Sequence, residues 1–183
     1  MKLNPLKKRE GFSLVELMMV VGIIGVLATL ALPRFKQFQA KAKMGEAKNI
    51  LSHIYTLEQT YSLDNNRYVS FPALGASRTS LTANDCAPNA NAQRIGFRLD
   101  PCEPNAPVPR YRYAATANAG EFIATAATGA RNFNRVCPSR TNAAHYFAIN
   151  QENVIWGAAG NAPRNASQAP TGTEPSVGLV CRN

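Results

Sequence analysis

The sequence predicts an α+β chain: a long N-terminal α-helix, apolar in its first half and amphipathic in its second, packed on a C-terminal antiparallel β-sheet. Three observations carry that expectation. An apolar run from Phe12 to Leu32 is followed by apolar residues at helical spacing as far as Tyr61. Short β-type runs separated by Asn- and Gly-containing turns fill the second half. Four cysteines, Cys86, Cys102, Cys137 and Cys181, all lie after the helical region.

The helix begins with a short basic lead. Lys2, Lys7, Lys8 and Arg9 against Glu10 give residues 1–11 a charge of +3, out of +9 for the 183-residue chain. From Phe12 to Leu32 the only charge is Glu16. At about 1.5 Å per residue that run spans roughly 30 Å, the thickness of a bilayer's hydrocarbon core. A carboxylate inside such a span costs about 2.5–3.5 kcal/mol on insertion scales, so Glu16 reads as a paired, functional group. An ordinary secretory signal has a shorter apolar core, and a plain membrane anchor leaves Glu16 unexplained. Gly22, Gly25 and Pro33 weaken the helix locally.

Beyond Pro33 the helix continues. Phe35, Phe38, Ala42, Ala47, Ile50, Leu51, Ile54, Leu57 and Tyr61 form one apolar stripe, with Lys36, Lys41, Lys43, Glu46 and Lys48 mostly off it. A stripe of this kind needs a sheet to cover it. Asp64-Asn65-Asn66 ends the pattern, so the helix reaches about Leu63 and is roughly 75 Å long.

Residues 64–94 read as a connecting loop. The β-type runs are Ile95–Leu99, Arg110–Ala117, Glu121–Thr128, His145–Ile149 and Asn153–Trp156, giving a sheet of about four strands. One hairpin turns at Asn118-Ala119-Gly120 and another at Asn150-Gln151-Glu152. Residues 157–178 are rich in Ala, Asn, Pro and Gly and offer little core.

An even number of widely spaced cysteines without a C-x-x-C pair argues for two disulfides, hence an oxidising compartment for everything after residue 33. Three pairings are possible. The sequential one, Cys86–Cys102 with Cys137–Cys181, closes the shortest loops and is the one expected. The cysteines also set orientation, because basic residues flank the apolar span on both sides.

Residues 7–28, from the basic lead through Gly11-Phe12-Ser13-Leu14-Val15-Glu16 and the apolar run after it, strongly resemble the class III signal of bacterial type IV prepilins and pseudopilins. Glycine at the border, a hydrophobic residue after it, glutamate at the fifth position and Pro33 further on all match. The resemblance covers about the first 65 residues. It implies the pilin αβ-roll, with a leader at 1–11, a transmembrane and assembly helix at 12–33, an amphipathic extension at 34–63, the loop at 64–94 and, at 95–183, an antiparallel sheet head with a disulfide-bounded C-terminal region. It implies cleavage between Gly11 and Phe12 by a membrane prepilin peptidase and N-methylation of Phe12. It implies an assembly salt bridge from Glu16 to the Phe12 amine of a neighbouring subunit, and loosening of the helix between Gly25 and Pro33 in the filament. The partners are then further copies of the chain, the peptidase/N-methyltransferase, a pilus or secretion assembly platform and the inner membrane, which precedes an extracellular filament.

Catalysis has little to work with. There are two histidines, His53 and His145, and no clustered nucleophile and base, phosphate loop or metal motif. No cofactor and no metal are expected. Within the structural class, a major pilin, a minor pilin and a type II secretion pseudopilin share the signal. A displayed binding module is the alternative class. Arg94, Arg98, Arg110, Arg112, Arg131, Arg135 and Arg140 against three acids give residues 94–140 a charge of +4, and Tyr111 and Tyr113 are interleaved. Arginine with tyrosine suits phosphates and stacked bases, so DNA or another surface ligand is a possible partner. A solvated basic face is the simpler reading.

Overall fold

The computed structural model describes residues 11–75, 89–99, 109–118, 120–128, 136, 145–159, 162–163 and 165–166. The elements in order are α1 (Leu14–Asn65), β1 (Phe71–Leu74), α2 (Ala90–Arg94), β2 (Arg112–Asn118), β3 (Glu121–Thr128), β4 (His145–Asn150) and β5 (Ile155–Ala159). The chain falls into two units, residues 1–38 and 39–183.

In the first unit α1 is helical through Pro33. Proline lacks the amide that would close one turn and normally kinks a helix interior, yet the helical assignment is unbroken here. Thr29 donates its hydroxyl to the Val26 carbonyl at 2.7 Å, so that polar group is satisfied within the helix.

In the second unit the remainder of α1 covers a five-stranded antiparallel sheet in the order β1-β2-β3-β4-β5. Ala40, Met44, Ala47, Leu51, Ile54 and Glu58 are the buried positions of α1. They recur at alternating four- and three-residue steps, the repeat of one helix face. Met44, Ala47, Leu51 and Ile54 share a core with Tyr111, Tyr113 and Ala115 of the β2 strand and its approach, Phe122, Ala124 and Ala126 of β3, and Phe147 and Ile149 of β4. Each large side chain buried in this way contributes roughly 1.5–3 kcal/mol. Ile123, Tyr146, Ala148 and Trp156 form a separate buried cluster. They alternate in sequence with the first set, as side chains on opposite faces of a strand must. The helix ends where Asn66 takes a left-handed φ of 52° and its amide bonds the Ser62 carbonyl at 2.8 Å.

Both expected hairpins form. In the first, Asn118 pairs with Glu121 across Ala119-Gly120, and Gly120 supplies the φ of +89° that a two-residue turn demands. In the second, the Asn150 side-chain oxygen accepts from the Glu152 and Val154 amides, and Asn153 takes a left-handed φ of 61°.

Three details depart from the expectation. Residues 64–94 are not all loop, because Phe71–Leu74 is an edge strand paired with β2 and Ala90–Arg94 is a short helix capped by Asn89. Residues 95–99 are not a strand. Ile95, Phe97 and Leu99 are buried alternately as read, but Gly96 at φ +75° and the bonds from Gly96 N to Gln93 O and Phe97 N to Ala92 O close them into a turn. The last strand runs Ile155–Ala159, two residues later than expected, since Asn153 belongs to the turn. Cys86, Cys102, Cys137 and Cys181 lie outside the described residues.

Candidate functional site

The candidate site is the apolar first unit. Gly11, Phe12 and Ser13 precede α1, and every residue from Gly11 to Gln39 is exposed. Phe12 is 88% exposed, and so, to 49% or more, are the large apolar residues from Leu14 to Phe38. A helix apolar all round and covered by none of the described residues is suited to cover by lipid or by other helices. Among the described residues α1 is the one helix long and apolar enough to cross a membrane. Apart from its first turn and the turn at Pro33, its backbone groups bond within the helix, which is the condition for entering hydrocarbon.

Glu16 sits in the first turn, and Leu17 N bonds Ser13 O at 3.2 Å to close that turn. The carboxylate therefore lies at the positive end of the helix dipole, a stabilisation of about 0.3–1 kcal/mol. That is well short of the cost of placing a charge in hydrocarbon. Among the described residues Glu16 makes no ion pair. Gly25 and Pro33 both lie within the helical, exposed stretch, and a Cβ at Gly25 would meet nothing within 4 Å.

The basic face is thinner than its sequence. Arg94, Arg98 and Arg112 are exposed. Arg110 is half-buried and forms an ion pair with Glu46 of α1. Arg131, Arg135 and Arg140 lie outside the described residues. Tyr111 and Tyr113 are fully buried against α1, so neither offers a ring for base stacking. His53 is exposed, with its ring 6.4 Å from that of Phe97. His145 is buried against Tyr111 and Phe147, and burial lowers its pKa from 6.5 to about 4.

One residue with a chemical role escaped the sequence reading. Glu58 is fully buried on the helix face that meets the sheet. Its position was readable from the repeat: Ala47, Leu51 and Ile54 are followed, four residues on, by Glu58.

Residues 6–32 match the family model for the prokaryotic N-terminal methylation motif. The type IV major pilin protein PilA of Myxococcus xanthus is 40% identical over 95 residues, covering 46% of this chain and 42% of that protein. The type IV major fimbrial protein FimA of Dichelobacter nodosus is 29% identical over 108 residues, 54% of this chain and 68% of its own length. The type II secretion system core protein G of Pseudomonas aeruginosa is 31% identical over 120 residues, 63% of this chain and 80% of that protein. The alignment thus spans less than half of the first of these relatives. No solved structure matches.

A methylation motif at the head of a long helix, the C-terminal part of which packs on a five-stranded antiparallel sheet, marks a structural protein rather than an enzyme. The chain belongs to the type IV pilin and pseudopilin superfamily.

Proposed function

We propose that this chain is a structural subunit of a type IV pilus. It is made as an inner-membrane precursor with its N-terminus in the cytoplasm, cut between Gly11 and Phe12, N-methylated at Phe12 and polymerised through its apolar helix into a surface filament that serves adhesion and motility. The observation that carries this reading is the uncovered apolar helix with Glu16 as its one carboxylate. The methylation motif spans the cut site and Glu16 together.

Cleavage and assembly are then coupled by charge. The cut leaves an ammonium on Phe12, and in the filament that ammonium meets Glu16 of a neighbouring copy. A charge pair in hydrocarbon costs far less than a lone carboxylate. Uncut precursor has no such amine at the helix end and stays in the membrane. The apolar residues flanking Glu16 supply the packing, and the pair sets the axial register. Gly25 and Pro33 bracket a segment that loosens as the helix enters the fibre. The peptidase/N-methyltransferase and an assembly platform are the partners in these steps. Two disulfides, Cys86–Cys102 and Cys137–Cys181, tie down the head outside the membrane.

A second reading, a type II secretion pseudopilin, has one observation in its favour: the similarity to core protein G extends over 80% of that protein. A minor, filament-displayed subunit that binds DNA through the exposed Arg94, Arg98 and Arg112 is weaker, because the tyrosines that would stack are buried.

The test is Glu16→Ala. The variant should accumulate in the inner membrane at the wild-type level while surface filaments fall at least about tenfold, the factor that about 1.4 kcal/mol represents. Filaments of normal yield would contradict the reading.

A further inference from the structure

Glu58 lies at the C-terminal end of α1 among the side chains that the helix turns to the sheet, and none of its surface is exposed. Its Oε2 accepts a hydrogen bond from the Val69 amide at 2.9 Å. Its Oε1 is buried and meets no donor. The bond to Val69 bridges the turn from α1 to β1. It therefore ties the helix to a point two residues before the edge strand. Among the described residues that strand pairs along one side only, through Phe71 with Ala115 and Leu74 with Tyr113, and the register shifts between the two pairs, while Ser70 just before it bonds Ala117 and Asn91.

Among the described residues the surroundings of Glu58 hold no cation for it. On α1, Tyr55 and Tyr61 are half-buried, while His53 and Asp64 are exposed. On the connection, Arg67 is exposed and the Tyr68 hydroxyl points to Gln59. Glu121 opens β3, and Glu152 lies exposed in the β4–β5 turn. Glu46 and Lys48 sit more than two turns back along the helix, at least about 15 Å away. Among the described residues, Val69 is the one hydrogen-bond partner Glu58 has.

A neutral carboxyl in this place leaves one hydroxyl unbonded. A carboxylate there leaves a full charge with one amide and no counter-ion, a far larger cost. Burial accordingly raises the pKa of Glu58 from 4.5 to about 7, and the Val69 amide pulls only part of the way back. Ionisation strengthens the single bond to Val69, but burial is the larger effect, so the charged side chain gains by reaching water.

We propose that Glu58 is a proton-operated latch, which when neutral holds the 66–70 connection and β1 against the helix and when ionised swings out and lets that edge of the sheet open. Opening exposes Phe71 and Leu74, both buried when β1 is docked, and bares the outer edge of β2.

The test is amide hydrogen exchange at Val69 and β1 on the full chain in detergent micelles, between pH 5 and 8.5, corrected for base-catalysed exchange. In wild type the protection should fall about tenfold per pH unit between the ordinary glutamate range and the midpoint of the buried Glu58, the slope of a one-proton linkage, and level off above that midpoint. In Glu58→Gln it should stay level. Parallel profiles in the two proteins, or level protection in wild type, would overturn the latch. If Glu58→Gln does not fold, the side-chain carboxyl carbon of Glu58 is titrated by NMR in wild type. A midpoint near neutrality, at which the fall in Val69 protection ends, supports the latch, and a midpoint in the ordinary glutamate range overturns it.

Discussion

The Tyr111 hydroxyl lies 3.4 Å from His145 Nε2, with the two rings edge-on at 5.4 Å, in the buried layer between α1 and the sheet. Tyr113, two residues along on the same face, buries its hydroxyl with no partner among the described residues. The two tyrosines therefore respond oppositely to loss of the hydroxyl. Tyr111→Phe removes one side of a polar contact and should cost about 0.5–1.5 kcal/mol. Tyr113→Phe removes a buried group that has no bond to lose and should be neutral or slightly stabilising. Urea denaturation of the two variants in detergent distinguishes them by the sign of the change.

His145 makes stability sensitive to acid. Its pKa is 6.5 in the unfolded chain and about 4 when folded, because burial disfavours the imidazolium. The unfolded state thus binds the proton first, and stability that is complete above pH 6.5 is lost as pH falls towards 4. The loss from this group is at most about 3 kcal/mol. Wild type compared with His145→Gln at pH 7 and pH 4 measures it, and the difference between the two proteins should shrink or reverse at the lower pH.

Glycines at two positions should react in opposite directions. Gly75 holds φ +110°, and a Cβ there would stand 2.8 Å from the Tyr111 carbonyl oxygen. Gly75→Ala should therefore destabilise the head by more than about 1 kcal/mol. Gly45 is inside α1 with nothing within 4 Å of an added Cβ. Gly45→Ala should stabilise by about 0.5–1 kcal/mol through helix propensity. Thermal melts followed by circular dichroism report both.

Two leucines of the same helix separate folding from assembly. Leu51 is fully buried against the sheet, so Leu51→Ala should cost about 2–5 kcal/mol of stability. Leu27 is 60% exposed, so Leu27→Ala should leave the unfolding transition of the micellar protein unchanged. It should instead reduce filament yield, measured as pilin recovered by shearing.

How far these features could be read in advance depended on how many residues carried each signal. The helix and both hairpins rest on long, redundant patterns, and the β2–β3 and β4–β5 turns use residues whose backbone preferences match. The phase of the stripe after Pro33 was less secure. Phe35 and Phe38 looked like core and are exposed, while the small Ala40 and flexible Met44 are buried in their place. Large aromatics dominated a pattern that packing assigns by position. Strand β1 is four residues long and contains Pro72, which sits at a sheet edge where its missing amide costs little. Residues 95–99 alternated as a strand does, but Gly96 bends them out of the ladder. The expectations for Gly11, Phe12 and Glu16 rest on a motif that spans all three. No motif names Glu58, and a carboxylate on a core face contradicts its type.

The most direct measurement is the composition of sheared surface filaments. Mass spectrometry of the purified fraction should find this chain as the bulk component, beginning at an N-methylated Phe12 and lacking residues 1–11. A chain confined to the envelope, or one that retains its first eleven residues in the filament, would contradict the proposal that cleavage at Gly11 creates the amine with which Glu16 assembles.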